Sequence, residues 1–116
     1  MKKKLVFKAE MDFFPPSKNK LYYGSAVKKA FNRSLEASIP KVKEFKEYVK
    51  NSQKEYIVIF KFYLSDENYR RFEGQNFLEV LYDALFTEYH DHKIKASCFS
   101  KERGNNKIHI EIYELD

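Results

Sequence analysis

Glu73 and Gln75 stand two residues apart just ahead of a helical pattern running from Asn76 to Phe86, and Asp91 follows in the next connection. Alternate residues of extended backbone share a side, which aims Glu73 and Gln75 into one pocket. Asn76, Glu79 and Asp83, at i, i+3 and i+7, form a polar ridge along the helix. Carboxylates gathered in this way can hold Mg²⁺, a hard ion that takes oxygen ligands and keeps several waters. A metal so held activates water and stabilises the displaced oxygen of a phosphodiester. The ordinary alternative is a solvated helix flank whose acids offset the helix dipole. His90-Asp91-His92 adds imidazoles of a kind that suits zinc or manganese. No third and fourth ligand stands at a readable spacing, which leaves exposed loop histidines as the simpler account.

A second constellation is basic and aromatic. Phe13, Phe14, Tyr22, Tyr23 and Phe31 lie among Lys18, Lys20, Lys28, Lys29 and Arg33. Cations neutralise phosphates and aromatic rings stack on unpaired bases, which is what single-stranded or branched nucleic acid needs. The competing account puts the rings in the core and leaves the lysines in solvent. Other chemistries are excluded by composition. With 3 glycines no Gly-rich phosphate loop can be written, and 1 cysteine gives neither a zinc finger nor an internal disulfide. Cys98 falls on the inward register of a strand pattern, where a small buried thiol is inert.

Composition bounds the setting of these residues. A chain of 116 residues supports one domain, residues 1–116, around a single core. Lys and Arg number 22 against 17 Asp and Glu, a net charge of +5 that points mildly to an anionic partner. Residues 1–58 hold 14 of the cations and 6 of the acids, residues 59–116 hold 8 and 11. A basic half joined to an acidic half would suit a phosphate cradle beside a carboxylate site; equally, charges of both signs decorate solvated faces. The apolar run from Tyr56 to Phe60 stops at Lys61, well short of the roughly 20 residues that span a bilayer, so no membrane partner is expected. Leu5-Val6-Phe7 ends at Lys8, too short for the apolar region of a signal peptide. The single cysteine fits a reducing, cytoplasmic compartment.

The elements that would position these groups alternate along the chain. Leu5 to Met11 reads as a first strand, stopped by Pro15 and Pro16. Val27, Phe31 and Leu35 recur at helical spacing over Ala26 to Glu36, and Val42, Phe45 and Val49 do so up to Lys50, with Ser38 as cap and Pro40 in the first turn. Glu55 to Leu64 is β-branched and aromatic on both faces and reads as a central strand. Ser65 to Gly74 reads as a polar loop carrying Arg70 and Arg71. Phe77, Leu78, Leu81, Ala84 and Leu85 form the buried stripe of the next helix. Ile94, Ala96 and Cys98, then Ile108, Ile110 and Ile112, alternate inward on two strands joined around Gly104-Asn105-Asn106, the pattern of a C-terminal β-hairpin. The expected class is α+β, a mixed sheet with two or three helices.

Several of these pieces together resemble one family, the RusA-type Holliday junction resolvases. Phe14-Pro15-Pro16-Ser17-Lys18-Asn19 is similar to the family's N-terminal strand followed by Pro-Pro-Ser-x-Asn. Glu73-Gly74-Gln75-Asn76, Leu81-Tyr82-Asp83-Ala84-Leu85, His90-Asp91 and Ile94 resemble its Asp-x-Asp-Asn, Asp-Ala-Leu helix, Asp-Asp loop and strand. The step from Asn76 to Asp83 fits without a gap, and the order of elements fits from end to end. The resemblance implies a homodimeric, Mg²⁺-dependent endonuclease (Mn²⁺ serving as well) that binds four-way DNA junctions and makes paired nicks. At the level of the family it also implies a phage or prophage source.

The family's three metal-binding aspartates would fall on Glu73, Gln75 and Asp91. Glu73 keeps a carboxylate on a longer arm, whereas Gln75 is neutral and offers only a carbonyl. Glu79 stands where the family usually carries a lysine, and one turn beyond Asn76 it is placed to restore the missing carboxylate, giving a metal set of Glu73, Asp91 and Glu79. Asn76 would support the site from the helix start. Lys18, Asn19 and Lys20, with Arg70 and Arg71, are the expected DNA contacts, acting as positioning charges and not as base readers. Two other readings compete: a relative that has lost catalysis and serves as a DNA-binding or regulatory protein, and a small protein-interaction module unrelated to DNA.

Overall fold

A computed structural model of the chain describes residues 2–14, 25–72, 75–87 and 90–116. Four strands form one mixed sheet, and four α-helices accompany them among the described residues, an α+β architecture. The strands are β1 (Lys3–Met11), β2 (Tyr56–Leu64), β3 (Ile94–Arg103) and β4 (Lys107–Leu115). The helices are α1 (Ser25–Ser38), α2 (Lys41–Lys50), α3 (Asp66–Arg71) and α4 (Gln75–Phe86), and a short 3₁₀ turn covers Asp91–Lys93. By its internal contacts the chain divides into a sheet unit, Met1–Phe14 with Lys54–Gly74 and Lys93–Asp116, and a helical unit, Pro15–Gln53 with Gln75–His92.

In the sheet unit the strand order is β1-β4-β2-β3. β4 runs antiparallel to β1 and to β2, and β3 runs parallel to β2. A parallel pair needs a long crossover, and residues 65–93, with α3 and α4, supply it. β2 is central as its sequence requires: Tyr56, Val58, Phe60, Phe62 and Leu64 are buried and alternate with half-buried Ile57, Ile59, Lys61 and Tyr63. Phe7, Ala9 and Met11 of β1 and Ile108, Ile110 and Ile112 of β4 complete the buried face.

The expected C-terminal hairpin does not form. β3 and β4 follow one another through a short turn, yet β2 lies between them. The turn at Gly104–Asn106 straddles the end of β2, a gap of about 10 Å at two strand spacings, within reach of the few residues available. Gly104 N–H donates to the Leu64 carbonyl at 2.7 Å, and Asn106 Oδ1 accepts from Ser65 N–H at 2.9 Å. β3 is therefore an edge strand, exposed along most of its length, and Cys98 is exposed instead of facing inward. Ala96 and Cys98 pair with Ile57 and Ile59, on the face opposite the buried side chains of β2, so the register that meets that buried face is the one carrying Phe99.

The helix count also exceeds the two or three expected. Ser65 to Gly74 is not all loop, because Ser65 Oγ accepts from Asn68 N–H and starts α3. Asp66 and Glu67 occupy its first turn and Arg70 and Arg71 its last, the arrangement that complements the helix dipole.

Within the helical unit, α1 keeps Phe31 and Leu35 buried, and α2 keeps Val42, Phe45 and Val49. Phe45 meets Phe86 edge-on at 5.4 Å, which joins α2 to α4. Ser38 does not cap α2; it is the last residue of α1, and Pro40 stands at the N-cap with helical dihedrals and no side-chain bond. Val80, Leu81, Ala84, Leu85 and Phe86 are the buried residues of α4, while Phe77 and Leu78 are half-buried. The helix ends at Thr87, whose φ of 66° turns the chain and whose N–H donates to the Asp83 carbonyl at 3.0 Å.

Candidate nucleic-acid interface

Glu73, Lys18, Asn19 and Lys20 lie outside the described residues. Gln75 and Asn76 are the first two residues of α4, so Gln75 belongs to the helix and not to the extended backbone expected ahead of it. Glu79 is exposed one turn further on. Asp83 is engaged: its Oδ2 accepts from Lys28 Nζ of α1 at 2.8 Å, with the carboxylate largely buried. This ion pair removes Asp83 from the pool of ligands and gives it a structural role between two helices. Asp91 opens the 3₁₀ turn with an exposed side chain. His90 and His92 sit with ring centroids 6.4 Å apart, and His90 Nδ1 is buried with no hydrogen-bond partner among the described residues. No group of three or more His, Cys, Asp or Glu side chains converges on a metal-sized point among the described residues.

Arg70 and Arg71 are exposed in the last turn of α3. They belong to a basic and aromatic surface that the sequence pattern does not single out. Beside them, the Tyr69 ring is flanked by Lys101 Nζ at 4.3 Å and by the Arg103 guanidinium at 4.4 Å. Lys101 Nζ also donates to the Tyr69 carbonyl at 3.1 Å, and Arg103 pairs with Asp66. These contacts fasten α3 to β3. The next residue after the arginines, Phe72, packs its ring 4.5 Å from Phe62, which in turn meets Phe99 edge-on at 5.9 Å. Phe14 closes the row at 6.5 Å from Phe72. Of these rings Phe99 remains 39% exposed. The basic-aromatic interleaving expected near Lys18 thus recurs in the sheet unit, where Phe99-x-Lys101-x-Arg103 is the available signal: residues two apart share a face of a strand.

A polar row on β4 also goes beyond the sequence pattern. His109, Glu111 and Tyr113 alternate with the buried isoleucines and so share the opposite face of the sheet. Glu111 Oε1 accepts from the Tyr113 hydroxyl at 2.7 Å, and its Oε2 lies 2.8 Å from His109 Nε2. His109 Nδ1 lies 3.8 Å from a Glu10 carboxylate oxygen on β1. The Tyr113 hydrogen bond first, and the His109 contact second, hold the Glu111 carboxyl below its ordinary value of 4.5, against the opposing effect of desolvation. The same bond raises Tyr113 above its ordinary 10.0, because a charged carboxylate favours the protonated phenol. Satisfied on both sides, this row is a cross-strand network of the sheet.

In comparisons with known proteins, no family model matches the chain and no curated protein matches it. Among the described residues, no helix is long and apolar enough to cross a membrane.

Proposed function

We propose that the chain is a RusA-like protein that binds branched DNA, acting as a homodimer in a reducing cytoplasm, with Mg²⁺- or Mn²⁺-assisted nicking of a four-way junction as its reaction. The observation that carries this reading is the exposed Arg70-Arg71 pair in the last turn of α3, followed in sequence after Phe72 by Glu73-Gly74-Gln75-Asn76, where α4 starts at Gln75. Paired cations there would hold a phosphate backbone beside the acids that attract the metal. Glu73 and Asp91 would be the metal ligands, with Glu79 as the added carboxylate and Asn76 as a support at the helix start. When bound, the metal would supply an activated water and charge neutralisation at the phosphodiester. Lys18, Asn19 and Lys20 would add contacts from the N-terminal loop.

One observation favours a second reading, a relative that binds the junction and no longer cuts it. Gln75 stands where the resemblance implies a carboxylate, and ligand charge sets the affinity for a hard cation. The two separate in one assay series. The protein is incubated with a labelled four-way junction, with and without Mg²⁺ or Mn²⁺, and the strands are resolved for symmetric nicks. Nicks that vanish in Asp91→Asn while binding persists support the enzyme. A shifted junction that is never nicked supports the inactive relative. Failure to bind any DNA rejects both.

A further inference from the structure

We infer that the β3–α3 surface of the sheet unit holds an unpaired base of the bound DNA, with Phe99 as its stacking platform and Lys101, Arg70 and Arg71 on the flanking phosphates; the inference rests on the DNA-binding reading above.

Phe99 lies near the middle of the edge strand and is 39% exposed, although its ring is held in place by the Phe62 edge contact at 5.9 Å. Phe62 is itself fully buried and packed on Phe72, so the platform is anchored on its inner side and open on its outer side. Stacking needs that combination, since a ring already fixed loses little conformational freedom when a base lands on it. Lys101 is two residues along the same strand face, about 7 Å away at the strand rise, and is exposed beside Tyr69. Arg70 and Arg71 project from the helix turn that leads into Phe72.

Among the described residues, the acids of this surface do not cancel those three cations. Asp66 is matched by Arg103, Glu67 stands in the opposite turn of α3, and Glu102 alternates onto the other face of β3. Among the described residues, cations in excess of acids around an open, rigid ring suit a polyanion with accessible π-faces, and base pairs at a branch point open and splay more readily than those inside linear duplex. A strand from a second copy could instead add to the free edge of β3. Lys95, Lys101 and Arg103 along that edge disfavour such pairing and favour phosphate.

The test uses the full chain and fluorescently labelled DNA, read by anisotropy on a four-way junction, a single strand and a linear duplex. A 2-aminopurine at the branch point reports stacking directly. Phe99→Leu keeps an apolar side chain over Phe62 and removes the π-face; circular dichroism melting checks that the fold survives. It is expected to weaken junction and single-strand binding about tenfold, to leave duplex binding unchanged, and to abolish the 2-aminopurine quench. Lys101→Gln is expected to weaken all three DNAs and to reduce the salt slope by about one unit. Wild-type affinity and quenching in Phe99→Leu would overturn the inference while leaving DNA binding intact. A change in sedimentation with no change in DNA binding would overturn it in favour of a self-pairing edge. Absence of any DNA binding by the wild type would remove the underlying reading as well.

Discussion

At the scale of residues, His109, Glu111 and Tyr113 of β4 form a polar row whose chemistry is open to test by pH. Glu111 is held below its ordinary carboxyl value, so its contribution is complete above the unfolded value and is lost as pH falls through the folded one. Tyr113 is raised, so its contribution is complete below the unfolded value and is lost as pH rises through the folded one. Glu111→Gln is expected to cost about 0.5–1 kcal/mol at neutral pH, the scale of one net side-chain hydrogen bond. Urea denaturation of wild type and variant should show that difference at neutral pH and its progressive loss as pH falls below the ordinary carboxyl value. A difference that persists in acid would mean that the introduced amide packs badly and that charge is not the cause. The period-two spacing His109-x-Glu111-x-Tyr113 is present in the sequence, but spacing alone does not say which face of a strand stays open. Asp83 makes the complementary point: its helical position is readable, whereas its Lys28 partner lies 55 positions away.

At the scale of elements, the turn between β3 and β4 decides the sheet order. Gly104 leaves no room for a side chain, since an added Cβ would lie 2.8 Å from Tyr63 Cβ. Both atoms sit next to the backbone and neither can swing away, so Gly104→Ala should cost about 1–3 kcal/mol. Asn106 carries a positive φ of 59° and its Oδ1 accepts from both Ser65 N–H and Asn68 Nδ2 at 2.9 Å. Asn106→Gly keeps the backbone relaxed and loses only the acceptor, about 1 kcal/mol. Asn106→Ala loses the acceptor and adds left-handed strain, about 1 kcal/mol more. Melting curves that rank wild type above Gly and Gly above Ala would support this account, and equal values for Gly and Ala would contradict it.

The helices are readable because Val42, Phe45, Val49 and the α4 stripe repeat at the helical period. The hairpin expectation fails because a Gly-Asn-Asn segment announces a reversal of direction without saying which strand becomes the neighbour. β2 claims that place because it carries apolar side chains on both faces and is covered by strands along both edges. α3 escapes the sequence pattern although Ser65, Asp66, Arg70 and Arg71 are sound cap and dipole signals, since six residues are too few to show a period.

At the scale of the whole molecule, the division into a basic and an acidic half does not survive folding. β1 of the first half pairs with β4 of the second, and the two units mix both halves. The sheet unit carries 13 Lys and Arg against 10 Asp and Glu, and the helical unit 9 against 7, so each is mildly basic. An anionic partner would therefore meet local clusters such as Arg70, Arg71 and Lys101 instead of one charged hemisphere. With about three phosphates neutralised there, the logarithm of junction affinity should fall with the logarithm of salt at a slope of about −3. Combining Arg70→Gln with Arg71→Gln should flatten the slope by about two, and an unchanged slope would place the phosphate contacts elsewhere.

The measurement that tests the central claim most directly is equilibrium binding of the full chain to a four-way junction and to a linear duplex of the same sequence, at two salt concentrations. Preference for the junction at both salts, with affinity falling steeply as salt rises, is the result expected of a branched-DNA-binding protein. Weak, equal and salt-insensitive binding to the two DNAs would contradict it.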